Sequence, residues 1–416
     1  MSASPTMAQC EHGLGQGPHW RHFVAAPHRM FFFGGVWGLV LSMLWWGAVL
    51  VSAPIAAPAP HWIHGWLLVF GAFAFFVFGF LTTVLPRWLN TPPVSARLYR
   101  PAALAQMAGY MLTVIGALWF RPLALAGMFL TGVTWLGVLI VLALLFRRGQ
   151  TGRSRLHPRW ALAVVAVGGA AALAAVRAGL LADPAGLALA PRVGLWAFLA
   201  AMVFVVAHRM LPFFASAALG SGYRMVRPQW GPPVVVLLLW SHAALLALGG
   251  AGWLCLVDLP LLLVTGWHLF CWQPWKARGN PLLWSLFVAF AWLPVAAGLS
   301  AVQSVVLRVC GEVVLGLAPL HALAAGLVAS MVFAMVTRVS LGHAGRALSM
   351  PRPAVGCFLL LQLAAVARVC VEIHGDSLDH HAILLLSAGL WLCAFTPWAL
   401  WLSALYWQPR CDGRPG

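Results

Sequence analysis

Residues 62–86 read WIHGWLLVFGAFAFFVFGFLTTVLP. These 25 residues contain no Asp, Glu, Lys or Arg and a single imidazole, His64. As a helix the stretch rises roughly 37 Å. A bilayer hydrocarbon core of about 30 Å needs ~20 helical residues, so the stretch reads as a membrane span.

The rest of the chain repeats that pattern. Of 416 residues, 62% are hydrophobic and 8% are charged, with a mean hydropathy of +0.90. Soluble domains carry roughly 25% charged residues. Eight Asp and Glu cannot solvate a 44.7 kDa globule. That excludes a soluble enzyme, a disordered chain and a disulfide-rich secreted module. The expected fold is all-α and polytopic, with about twelve spans: 31–53, 62–86, 101–120, 122–146, 159–181, 191–214, 231–252, 253–273, 281–303, 319–341, 354–373 and 382–407. Pro122 and the run Gly249 to Gly252 divide the two tightest pairs. Residues 1–30 read as a flexible N-terminal tail, 31–408 as the membrane domain and 409–416 as a short C-terminal tail. The tail has no apolar stretch of signal-peptide type.

Charge sets the expected orientation. The net charge of +17 comes from short loops, and no basic helix or aromatic-interleaved patch suits nucleic acid. Of the 25 Lys and Arg, 20 fall on the side of the N-terminus. Only Arg121, Arg177, Arg192, Arg308 and Arg368 fall on the other. Under the positive-inside rule both termini are cytoplasmic, and the composition suits a bacterial inner membrane. The eight Cys form no C-x-x-C pair, so neither a thiolate zinc site nor an iron–sulfur cluster is expected.

Polar side chains inside a membrane are costly and mark function. Here they are mainly His, fifteen in all, while Asp258 is the single carboxylate expected within a span. His with few buried acids suits haem or copper better than carboxylate-coupled transport. Depth sorts the imidazoles. His64, preceded by His61, and His321 lie at the outer ends of spans 2 and 10 and form an expected outer cluster. His343 follows His321 by 22 residues, about 33 Å along a helix, so those two cannot share a metal. It groups instead with His208 and His268 on the inner side, and His242 lies mid-membrane. His61, His157 and His268 are also explained by interfacial placement, and Met331 and Met335, at i and i+4, by core packing. The segment CVEIHGDSLDHH (370–381) carries His374, Asp376, Asp379, His380 and His381 and reads first as a solvated loop, with metal binding as the alternative. Cys10, His12, His19, His22 and His28 in the tail offer transient copper ligands.

Spans 2, 6 and 10 end on the inner side in similar polar stretches: Thr83 to Trp88, His208 to Phe214, and Thr337 to Arg346. This spacing hints at a repeat of four-helix units.

These stretches also carry a likeness to a known family. Phe78 to Trp88, Arg209 to Phe214, Pro281 to Trp284 with Ala291 to Pro294, and His321 followed by Met335 to Arg346 together resemble the NnrS family, as does the ending Pro409 to Gly416. The likeness covers about residues 25–416. It implies a haem- and copper-containing bacterial membrane protein of nitric oxide metabolism and denitrification that protects against nitrosative stress. By position, His64, His321 and His343, with Arg209, Arg338 and Arg346, match the family's polar pattern. The chain departs from many relatives at His64-Gly65-Trp66, which lacks an acid, and at Phe287, where they carry His.

The physical reading accommodates those cofactors. A haem, b-type on this reading, needs imidazoles facing a gap between helices. Gly71, Ala72 and Ala74, and Ala324, Ala325 and Gly326, supply small residues. Arg308 or Arg368 suits the propionates, and copper is expected at His64, His321, His343 or His208. Three function classes follow. One is a redox protein that binds nitric oxide and reduces it to N2O with electrons from an unidentified donor. The second is a transporter of metal or metal–nitrosyl species. The third is a haem-based sensor or assembly factor.

Overall fold

The computed structural model describes residues 19–51, 60–150, 154–374 and 379–412. Among them the secondary structure is helical, with no strand. We number the long helices α1 (Pro27–Leu50), α2 (His61–Leu89), α3 (Ala96–Trp119), α4 (Arg121–Arg148), α5 (Leu156–Leu180), α6 (Pro184–Gly222), α7 (Gly231–Ala247), α8 (Cys255–Cys271), α9 (Pro281–Cys310), α10 (Ala318–His343), α11 (Arg352–Ile373) and α12 (His380–Trp407). Ten are long and apolar enough to cross a membrane; α7 and α8, at 17 residues each, are shorter. Seventeen residues rise about 26 Å, the lower limit for a span. The protein is a multi-pass membrane protein, and its helices occupy the twelve expected positions.

Differences from the expected boundaries have local causes. Helix α6 starts at Pro184 because Asp183 caps it, its Oδ1 accepting from the amides of Ala185 (3.1 Å) and Gly186 (3.0 Å). Pro191, the expected start, lies inside the helix and removes one backbone bond without ending it. Helix α7 stops at Ala247 because Gly249 turns at φ 75°, a left-handed conformation that glycine adopts without penalty. The α3–α4 hairpin is tight: a Cβ on Gly127 would meet Gly109 O at 2.6 Å and Thr113 N at 2.5 Å. Small residues let these backbones touch, as is common between membrane helices.

The two chain ends meet on one face. The ring of Phe23 stacks on Trp407 at 4.6 Å, and Arg29 donates to the carbonyls of Tyr406 (3.0 Å) and Gln408 (2.7 Å). An even number of crossings follows. That face is called inner below. The expected tail 1–30 is therefore packed from residue 19 onward, with His28 and Arg29 buried inside the first turn of α1; residues 1–18, including Cys10 and His12, lie outside the described residues.

Helices α2, α6 and α10 form the centre. They are the most buried spans, at 78%, 72% and 78%, against 33–56% for the other long spans. Each contains a π-helical stretch: Leu67–Ala72, Leu195–Ala200 and Ala322–Ala329. Together with Phe32 they line a small central void of ≈ 70 Å³, into which Met331 and Met335 project as packing residues. Helix α12 returns to pack on α1. Three central helices at four-helix spacing, each with the same irregularity, fit the repeat read from the sequence. π-Stretches are frequent at functional sites, and all three lie in the outer half of their helices.

Candidate functional site

On the outer side, α2 and α10 bring His64 and His321 to one cavity of ≈ 350 Å³. His64 stacks on Trp46 (ring centroids 4.6 Å, 27°), and its Nδ1 is buried without a partner. His321 is held differently. Its Nδ1 lies 3.0 Å from the Leu317 carbonyl. A carbonyl only accepts, so Nδ1 carries the proton and, in the neutral ring, Nε2 keeps a lone pair for a metal. Leu317 is itself anchored, its amide donating to Glu372 Oε2 at 2.9 Å. Glu372 Oε1 in turn accepts from Arg368 Nη1 at 2.5 Å. Arg368, Arg192 and His61 also line the cavity, as do Ala324 and Ala325.

The residues lining this cavity have the chemistry that a haem requires. Its walls are largely apolar, two imidazoles come from separate central helices, and two guanidiniums suit propionates. The orphaned Nδ1 of His64 is a buried polar atom that lacks a partner within the protein. Two expectations change here. Arg308 does not reach this cavity and lies over the Trp253 ring at 4.0 Å. The gaps expected at Gly71 and Gly326 are closed by Tyr110 and Trp292.

On the inner side the expected trio of His208, His268 and His343 is divided. His208 and His268 meet, with ring centroids 5.5 Å apart, and the third partner is His157 of α5. His157 Nε2 and His208 Nδ1 share a hydrogen bond of 3.0 Å. His268 Nδ1 donates to the carbonyl of Val264 at 2.8 Å, the same i−4 arrangement as His321. The Nε2 atoms of His208 and His268 are both buried without partners. They converge beside Gly231, where a Cβ would lie 2.7 Å from one and 2.8 Å from the other. His343 instead packs on His28 of α1, centroids 4.4 Å apart. Helix α10 carries it away from His208, whereas α8 carries His268 toward it.

As they stand, no three His, Cys, Asp or Glu among the described residues form a metal-holding group. Two facing imidazole nitrogens nonetheless suit a cuprous ion, which accepts two nitrogen ligands. No disulfide joins the seven described cysteines.

The remaining polar residues have local partners. His242 Nδ1 donates to Asp258 Oδ1 at 2.8 Å, both fully buried, and the imidazole stacks on Trp196 at 3.7 Å. Asp258 Oδ2 has no partner. Arg209 lies over Trp88 (4.5 Å) and Arg338 over Phe214 (4.1 Å). Arg346 donates to Gln408 Oε1 at 3.0 Å. Asp379 caps α12, accepting from the Ala382 amide at 3.0 Å, and His380 reaches the outer cavity; Asp376 and the His374 side chain lie outside the described residues. Phe287, at the position where many relatives carry His, is buried in α9.

Glu372 was not singled out from the sequence; Arg192 was read only as an outer-side charge, His28 as a ligand of the tail, and His157 as an imidazole explained by interfacial placement.

Fold and sites together define a polytopic helical membrane protein in which buried imidazoles outnumber the buried Asp, Glu, Lys and Arg side chains among the described residues. The profile described as NnrS protein matches residues 22–410, and the chain belongs to the NnrS family. No curated protein matches the chain.

Proposed function

We propose that this protein is a haem- and copper-binding membrane protein of nitric oxide metabolism that binds nitric oxide and reduces it to N2O. The observation that supports this reading best is the outer cavity, where His64 and His321 from two central helices share a space with Arg192 and Arg368. His64 and His321 would hold the haem, and His208 and His268 the copper. A haem bound there supplies a redox-active iron. The copper pair, with His157 behind it, supplies a second one-electron centre. Nitric oxide is small and apolar, so it reaches a bilayer-embedded site without a polar channel.

The reaction 2 NO + 2 e− + 2 H+ → N2O + H2O requires two electrons from an external donor and two protons. The chain's residues serve this by binding and orienting. The Glu372–Leu317–His321 linkage fixes one imidazole, and Trp46 fixes the plane of the other. We place the protein in the bacterial inner membrane with the inner face, rich in Arg, toward the cytoplasm.

The test is anaerobic. Purified protein from cells supplied with iron and copper is examined by optical and EPR spectroscopy, then given nitric oxide and a reductant. A haem spectrum, together with N2O formation, is expected for the native protein. His64→Ala and His321→Ala are expected to lose haem. Full haem and an unchanged spectrum in both variants would overturn the outer assignment. Metal flux in liposomes without gas consumption would instead support a transporter.

A further inference from the structure

A large cavity lies on the inner side, apart from the outer cavity and from the His208–His268 pair. It encloses ≈ 780 Å³ and draws on α1, α2, α6 and α10 and on the chain's final described residues. Three guanidiniums, Arg87, Arg338 and Arg410, and the imidazoles of His28 and His343 line it. No Asp or Glu among the described residues does.

Each charge has a distinct setting. Arg410 is paired outside the cavity with Asp412, at 2.8 and 2.6 Å, which keeps its guanidinium firmly charged. Arg87 is exposed at the inner end of α2. Arg338 is 7% exposed, sits within α10, and lies over the Phe214 ring at 4.1 Å. His28 is 2% exposed, and its Nδ1 is buried without a partner. Buried positive charge without a counter-charge is costly, and topology alone asks for Arg in loops rather than within a central helix. An anion in the cavity offsets that cost.

The other walls define what carries the anion. Phe213 and Leu348 line the cavity and are 53% and 50% exposed, so its rim presents apolar surface to its surroundings. A free phosphate has no use for such a rim, whereas an amphipathic molecule places its chains there and its headgroup among the guanidiniums. Basic pockets between spans on the cytoplasmic side bind acidic lipid headgroups, and guanidinium pairs well with phosphate. We infer that this cavity is a binding site for an acidic phospholipid, with its phosphate held by Arg87, Arg338 and Arg410.

The full-length protein in neutral detergent tests this. Its thermal unfolding, followed by tryptophan fluorescence, is measured with added phosphatidylglycerol, phosphatidylcholine or inorganic phosphate. Phosphatidylglycerol alone should raise the midpoint. Arg338→Gln and Arg87→Gln should each weaken that response about fivefold in lipid concentration. Arg97→Gln removes an exposed charge on the same face outside the cavity and should leave it unchanged. Arg87 is exposed, so its variant reports even if Arg338→Gln does not fold. The inference is overturned if phosphatidylcholine matches phosphatidylglycerol, if inorganic phosphate reproduces the rise, or if Arg87→Gln retains the full preference.

Discussion

His157 Nε2 and His208 Nδ1 lie 3.0 Å apart, which turns the opposite nitrogen of His208 toward His268. One imidazole thereby orients another. Outer partners of this kind fix the ring and tautomer of metal-ligating histidines. For His208 Nε2 to keep a lone pair for a metal, its Nδ1 must carry the proton and donate to His157 Nε2; His157, on α5, is itself no ligand, so its loss leaves both proposed ligands in place.

His157→Ala should therefore weaken copper binding by about 10–100-fold without abolishing it. His208→Ala should abolish it. Copper affinity, measured by competition with a cuprous chelator, distinguishes the two, and equal stoichiometric copper in wild type and both variants would count against the inner site.

Gly231→Ala probes the same place from the backbone. The added methyl would sit 2.7 and 2.8 Å from the two Nε2 atoms, closer than carbon and nitrogen pack. Overpacking of this kind costs roughly 1–3 kcal/mol. We expect copper content to fall while the haem spectrum is retained, because the outer cavity lies at the outer ends of α2 and α10, apart from the inner site on α5, α6 and α8. Parallel loss of haem would mean global misfolding instead.

Glu372 links Arg368 to the Leu317 amide, and Leu317 holds His321. Glu372→Gln keeps an acceptor for the amide and loses the ion pair. Glu372→Ala loses both. Haem occupancy should follow the order wild type, Gln, Ala, read as the haem-to-protein absorbance ratio. If Ala retains wild-type occupancy, His321 is positioned by its helix alone.

The His242–Asp258 pair is fully enclosed. Asp258→Ala leaves His242 Nδ1 without its acceptor, a loss of about 1–3 kcal/mol. The same change removes the orphaned Oδ2, which offsets part of that cost. A lowered thermal midpoint with unchanged haem and copper is the expected result, and His242→Phe should relieve much of the defect when combined with Asp258→Ala.

The span pattern, the even crossing count and the outer meeting of His64 with His321 were legible in the amino-acid order. Apolar length sets where a helix crosses, alternation sets which end faces which side, and a residue's place along a span sets its depth. Depth alone, however, leaves the azimuth open. His208, His268 and His343 share a depth, yet α10 turns His343 onto His28 while α5 brings His157 to His208. Helix rotation and neighbour choice come from side-chain packing between spans, as at Gly231 and in the Gly109–Gly127 contact. The sequence by itself determined a multi-span membrane protein of the NnrS family with imidazoles at both faces. Only the tertiary structure decided which imidazoles meet, because partnership depends on rotation about each helix axis and not on position along it.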